Sequence, residues 1–133
     1  MVKKIAHIGI AVENLVESIK IFEQLLGTKC HGIEDVPAQK VRVAFLPVGE
    51  TNIELLEGTA PDSPITIFLE KQGSGVHHLA FEVQDLTTHL KSLKDAGVRL
   101  IDQEPRSGAH GAKIAFIHPK ETGRVLCELV EMP

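Results

Sequence analysis

The chain has 133 residues, 18 of them acidic and 14 basic, with a formal net charge of −4 and 43% hydrophobic residues. That supports one compact domain with its own core, and it is too short for two independent ones. There is no Trp or Tyr, and the five Phe are not interleaved with Arg or Lys, which excludes a basic, base-stacking nucleic-acid surface. No apolar run approaches the ~20 residues that span a bilayer. Met1-Val2-Lys3-Lys4 leads straight into a strand pattern without the features of a signal peptide. Cys30 and Cys127 form no disulfide framework and are read as reduced thiols, so a cytoplasmic location is expected.

The first strand pattern is His7-Ile8-Gly9-Ile10-Ala11-Val12. Asn14 then caps a helix, with Glu17 placed as in a capping box; Ile19, Phe22 and Leu26 recur at helical spacing, and Gly27 stops it. Strand patterns follow at 41–47 and 51–57, separated by a turn at Gly49. Residues 58–75, with two Pro and three Gly, hold a linker and a short helical piece around 65–71.

The pattern then starts again. His78-Leu79-Ala80-Phe81-Glu82-Val83 repeats the first strand, and Asp85 caps a second helix with Leu86, Leu90 and Leu93 as its apolar stripe and Gly97 as its stop. Strand patterns follow at 112–118 and 124–131, separated by Pro119 and Gly123. Leu126-Cys127-Glu128-Leu129-Val130-Glu131 repeats Asn52-Ile53-Glu54-Leu55-Leu56-Glu57. The chain therefore reads as an α+β fold of two tandem βαβββ modules, about 1–58 and 75–133. They form one domain, because each half alone buries too little core.

Four residues stand at equivalent places in the repeat: His7 with His78, and Glu54 with Glu128. In each half a histidine opens the first strand and a glutamate sits inside the last. One such histidine is usually a structural residue, and one such glutamate a solvated one; the repetition is what points to chemistry. If the halves fold as pseudo-twofold copies, the four converge on one point between the curved sheets. Two imidazoles and two carboxylates suit a six-coordinate divalent ion such as Co²⁺, Ni²⁺, Mn²⁺ or Zn²⁺. A structural zinc site would more often use cysteines, and neither cysteine lies in a C-x-x-C pair.

Strand alternation sorts the neighbours. His77 faces away from His78, Glu57 from Glu54, and Glu131 from Glu128. Cys127 faces away from Glu128 as an apolar filler, while Gly9, Ala11 and Ala80 leave space on the ligand side. His31 and His89 read as surface residues. The loop Ser107-Gly108-Ala109-His110-Gly111 and Lys120 are candidates for binding an anionic group, through backbone N–H groups that glycine lets approach closely and through the lysine charge.

The repeated βαβββ unit with its H…E…H…E order resembles the vicinal oxygen chelate superfamily, which includes glyoxalase I, extradiol dioxygenases and bleomycin-resistance proteins. Within it the chain is most similar, along essentially its whole length, to the methylmalonyl-CoA epimerase family. The stretches that carry this are His7-Ile8-Gly9-Ile10-Ala11-Val12, Val43-Ala44-Phe45-Leu46-Pro47-Val48-Gly49, Ile53-Glu54-Leu55-Leu56-Glu57 and Gly75-Val76-His77-His78-Leu79-Ala80. Further on they are Gly108-Ala109-His110-Gly111, Phe116-Ile117-His118-Pro119-Lys120 and Leu126-Cys127-Glu128-Leu129.

The resemblance implies interconversion of (2R)- and (2S)-methylmalonyl-CoA by α-proton abstraction through an enolate. It implies a divalent metal, Co²⁺ foremost, held by His7, Glu54, His78 and Glu128, an acyl-CoA thioester as the small-molecule partner, and a homodimer. Glu128 is the first candidate for acid/base work. Some family members carry a further Glu on the strand corresponding to 41–46; that position aligns near Arg42, so its role is not carried over, and Glu54 stands as the second acid/base.

A glyoxalase I-type lactoylglutathione lyase is the nearest alternative, but that family commonly has an Arg shortly after the first metal histidine, where this chain has Gly9, Ile10 and Ala11. A non-enzymatic small-molecule binder of the bleomycin-resistance type has no need of all four ligand-type residues. An iron dioxygenase would show two histidines and one carboxylate.

Overall fold

The computed structural model describes residues Met1–Pro133. The chain forms two compact units, His7–His77 and Met1–Ala6 with His78–Pro133. It passes from one to the other inside β1 (Val2–Ala11), at Ala6–His7, and again inside β5 (Gly75–Val83), at His77–His78.

The unit His7–His77 holds the second half of β1, α1 (Leu15–Leu26), β2 (Ile33–Val36), β3 (Val41–Val48), β4 (Thr51–Gly58) and α2 (Pro64–Gln72), its strands in the order β2-β3-β4-β1. Helix α1 starts where expected: Asn14 is extended, and its side chain accepts a hydrogen bond from the Glu17 N–H at 3.0 Å. It ends at Gly27, whose φ of 66° lies in the left-handed region. Its apolar stripe, with Leu15, Ile19 and Phe22, packs on Val12, Ala44, Leu46 and Leu55. Strand β4 runs parallel to β1, with Gly9 opposite Glu54, and antiparallel to β3, with Phe45 opposite Glu54. Alternation therefore puts His7, Gly9, Val43, Phe45 and Glu54 on the face that α1 does not cover. Glu34 of β2, opposite Val43, shares that face.

Helix α2 is capped by the buried Ser63, whose hydroxyl accepts from the Ile65 N–H at 3.2 Å. Gly58 makes room for it, because a Cβ there would collide with the Thr66 hydroxyl.

The other unit contains Val2–Ala6 of β1, His78–Val83 of β5, α3 (Leu86–Asp95), β6 (Arg106–Ser107), β7 (Lys113–Ile117) and β8 (Cys127–Glu131), in the order β1-β5-β8-β7-β6. Asp85 caps α3 by accepting from the Thr88 N–H at 3.1 Å. Leu86 and Leu90 of α3 pack on Val83, Ala115, Ile117 and Leu129. The opposite face carries a second apolar cluster, Ala80, Ala112, Ile114, Phe116 and Val130, with Ala6 and Leu126 against it.

Both βαβββ modules are present, and each helix lies where its caps and stripe place it. The third strand after each helix, which no pattern located, is the short β2 in one module and the two-residue β6 in the other. The histidines do not open their strands: β1 begins at Val2 and β5 at Gly75, so His7 and His78 lie well inside. The last strand begins only at Cys127, because Gly123 and Arg124 have φ of 64° and 71° and turn the chain first. Cys127 itself is half-buried.

Two measurements test this account. Leu46 is fully buried, so Leu46→Ala should cost about 2–5 kcal/mol in denaturant unfolding. Asp85 has its carboxyl held below the usual 3.8 by hydrogen bonds from the Thr88 N–H and then the Thr88 hydroxyl. Its contribution is therefore present above that pH and lost as the pH falls through the lowered value. In calorimetry Asp85→Ala should melt below the wild type at pH 7, with the gap closing on acidification.

Candidate functional site

In the unit His7–His77, the parallel pairing of β1 with β4 places an imidazole beside a carboxylate. His7 Nδ1 lies 3.0 Å from Glu54 Oε2, and the two side chains are only 11% and 12% exposed. In the other unit the parallel pairing of β5 with β8, Ala80 opposite Glu128, does the same. There His78 Nε2 lies 3.1 Å from Glu128 Oε1, with side chains 6% and 5% exposed. The repeat in the sequence is thus a repeat in contact: each unit holds one His–Glu pair on the face its helix leaves uncovered, fully buried for His78 and Glu128 and with Glu54 half-buried in the other.

The surroundings of the second pair are apolar on one side and charged further out. Phe116, opposite Glu128 in the β7–β8 register, meets the His78 ring edge-on, at 5.6 Å between centroids and 81° between planes. The Arg106 guanidinium lies 5.6 Å from the Phe116 centroid and pairs with Asp102 at 3.2 Å. Asp102 in turn accepts from the Phe116 N–H at 2.8 Å. Arg106, Asp102 and Phe116 therefore form one connected group on the face of Glu128. Sequence reasoning passed over all three, since Arg106 and Asp102 lie in a stretch with no periodicity.

The glutamates on the alternate faces have a different task, also unread in the sequence. Glu57 Oε2 accepts from the Leu15 N–H at 2.9 Å, and Glu131 Oε1 accepts from the Leu86 N–H at 2.8 Å. The signal was available as the doubled E-x-x-E, but not what stands opposite its second glutamate.

Arg42 lies on the face away from Glu54. It is opposite Glu57, 3.8 Å from its carboxylate, and bonds Asp35 at 2.9 Å, which raises the guanidinium pKa further. The residues of β3 that share the Glu54 face are Val41, Val43, Phe45 and Pro47, so that strand supplies no acid there. Glu34, on the neighbouring β2, does.

The candidate anion-binding residues lie in the unit of His78 and Glu128. Ser107 ends β6, and Ala109–Gly111 form a tight turn in which His110, exposed, holds a left-handed φ of 56°. Gly111 follows at φ 70°. Gly108 has a packing reason to be glycine, since a Cβ would come within 2.7 Å of Ile114 Cγ2. Lys120 is exposed in the turn Pro119–Thr122, its N–H bonded to His118 Nδ1 at 3.1 Å.

Residues 6–116 match the family described as the Glyoxalase/Bleomycin resistance protein/Dioxygenase superfamily, and the chain belongs to it. Among its relatives is the ethylmalonyl-CoA/methylmalonyl-CoA epimerase of Cereibacter sphaeroides, 37% identical over 99% of this chain and 100% of that one. The uncharacterised protein YqjC of Bacillus subtilis is 47% identical, over 96% of this chain and 91% of its own. A solved structure of a Streptomyces coelicolor methylmalonyl-CoA epimerase variant with 2-nitronate-propionyl-CoA superposes with a TM-score of 0.95, at 36% identity over 99% of this chain and 96% of that one.

The donor set fits the metal that such a fold suggests. Imidazole and carboxylate donors are a mixed N/O set of borderline hardness, suited to a divalent ion. His7, His78 and Glu128 in particular are buried donors that together could hold one.

Proposed function

We propose that this protein is a divalent-metal-dependent epimerase that interconverts (2R)- and (2S)-methylmalonyl-CoA. The observation that carries the reading is the pair of repeat-related His–Glu contacts, 3.0 and 3.1 Å, each within its own unit. Support for the substrate comes from the epimerase relative matched from end to end. His7, Glu54, His78 and Glu128 hold one ion, Co²⁺ before Ni²⁺, Mn²⁺ or Zn²⁺, and the enzyme works as a cytoplasmic homodimer.

The proton on C2 of the substrate is too weakly acidic to leave unaided at neutral pH. When bound, the divalent ion supplies Lewis-acid stabilisation of the negative charge that grows on the thioester oxygen. The residues do the rest. His7 and His78 each give a ring nitrogen to the site. Glu128 takes the C2 proton onto a carboxylate oxygen, and Phe116 shields that side from water.

Inversion requires a proton delivered from the other face of the flat enolate, and so a second acid. Glu54 fills that role, its partner by repeat symmetry. Ser107, Gly108, His110 and Gly111, with Lys120, bind the anionic parts of the acyl-CoA. Arg106, held by Asp102 and lying over Phe116, adds a fixed positive charge on the Glu128 side.

Incubation of methylmalonyl-CoA in D₂O should give deuterium at C2 and loss of stereochemical purity with Co²⁺-loaded protein, and neither with metal-stripped protein. Exchange that ignores the metal, or none in either form, would overturn the reading. Removing one acid/base should lower kcat by about 10²–10⁴. Glu128→Gln should do so for one epimer's proton and Glu54→Gln for the other's. Full turnover by Glu54→Gln would move the second role to Glu34, the other carboxylate on that face.

A further inference from the structure

The doubled E-x-x-E divides its labour. Glu54 and Glu128 face the candidate metal site, while Glu57 and Glu131, three residues on and therefore on the opposite face, reach the first residues of α1 and α3. Those N–H groups belong to the unsatisfied donors of a helix start, and a carboxylate is the acceptor that both the hydrogen bond and the helix dipole favour. Asn14 and Asp85 already serve the third residue of each helix, so Glu57 and Glu131 add a separate bond from a distant strand.

The placement of these bonds is what matters. His7 lies on β1, which runs into α1, and Glu54 lies on β4, which carries Glu57. His78 lies on β5, which runs into α3, and Glu128 lies on β8, which carries Glu131. Both strand pairs are parallel, so no hairpin turn sets the register of histidine against glutamate. Each carboxylate instead ties the helix that follows the histidine strand to the strand that carries the glutamate. That the same closure occurs in both repeats, from residues 42 and 45 positions apart, marks it as a feature of the module.

We propose that Glu57 and Glu131 are positioning residues that hold each His–Glu pair at ligating distance. The proposal rests on the metal centre put forward above. Loss of an outer partner of a metal ligand typically weakens binding by about 10–100-fold, and that is the range expected here.

The test is a Co²⁺ titration of the metal-stripped full chain, read by calorimetry and by the visible Co²⁺ spectrum, with the melting temperature measured alongside. Glu57→Ala and Glu131→Ala should bind Co²⁺ about tenfold or more weakly, with a shifted spectrum. Glu57→Gln and Glu131→Gln, whose amide oxygen still accepts from the helix N–H, should stay close to wild type. Glu57→Asp and Glu131→Asp, one methylene too short, serve where alanine does not fold and should behave as alanine does. Wild-type affinity and spectrum in the Ala or Asp variants, whatever their melting temperature, would overturn the positioning role. A wild-type chain that takes up no Co²⁺ would remove the metal centre and this inference with it.

Discussion

Two parallel strand pairs, β1 with β4 and β5 with β8, are the constraint on which the rest of this fold depends. Antiparallel neighbours take their register from a tight turn, but parallel neighbours must be joined by a long crossover. In each module that crossover carries a helix and further strands, and the helix occupies one face of the sheet. The other face is then free to carry one histidine and one glutamate from each parallel pair, which meet there. The apolar stripe of α1 on Leu46 and Leu55, and that of α3 on Val83 and Leu129, decide which face is which.

That placement has a thermodynamic meaning. Taking a carboxylate and an imidazole out of water is costly, and well-packed apolar residues of similar size would often serve stability as well or better. His78 and Glu128 are nevertheless almost wholly buried, in the face where Phe116, Ile114 and Val130 pack. His7 and Glu54 repeat the arrangement in the other unit. That cost is highest at His78 and Glu128, and it accords with the proposal that these groups serve chemistry more than stability. The Asp102–Arg106 pair nearby is different in kind, because it is more exposed and because Asp102 also ties down the Phe116 backbone.

Much of this is legible in the sequence. Helices α1 and α3 are, because cap, stripe and glycine stop agree. The four candidate residues are, because the repeat singles them out among seven histidines and many acids. Three things are not. Strands β2 and β6 are too short to show a period. Strand β3 is apolar on both faces, with Val43, Ala44, Phe45 and Leu46 all buried, so alternation could not say that Arg42 looks away from Glu54. And the partners of Glu57 and Glu131 lie dozens of residues away, at helix starts whose position depends on how the crossover closes.

The duplication also bears on why this fold suits the proposed reaction. Inverting a carbon centre needs two proton-carrying groups of the same kind, approaching a flat intermediate from different sides. A single βαβββ module offers one carboxylate with one imidazole beside it; a second copy supplies another without any new invention. What duplication cannot supply is the difference between the two environments, which must let one carboxylate accept while the other donates. Here the repeats do diverge: Glu128 lies opposite Phe116 and His78 meets that ring edge-on, whereas Glu54 lies opposite Phe45 on a strand whose neighbour brings Glu34 to the same face. The asymmetry that epimerisation demands is therefore to be sought in the residues that flank the two glutamates, which the repeat has not kept alike.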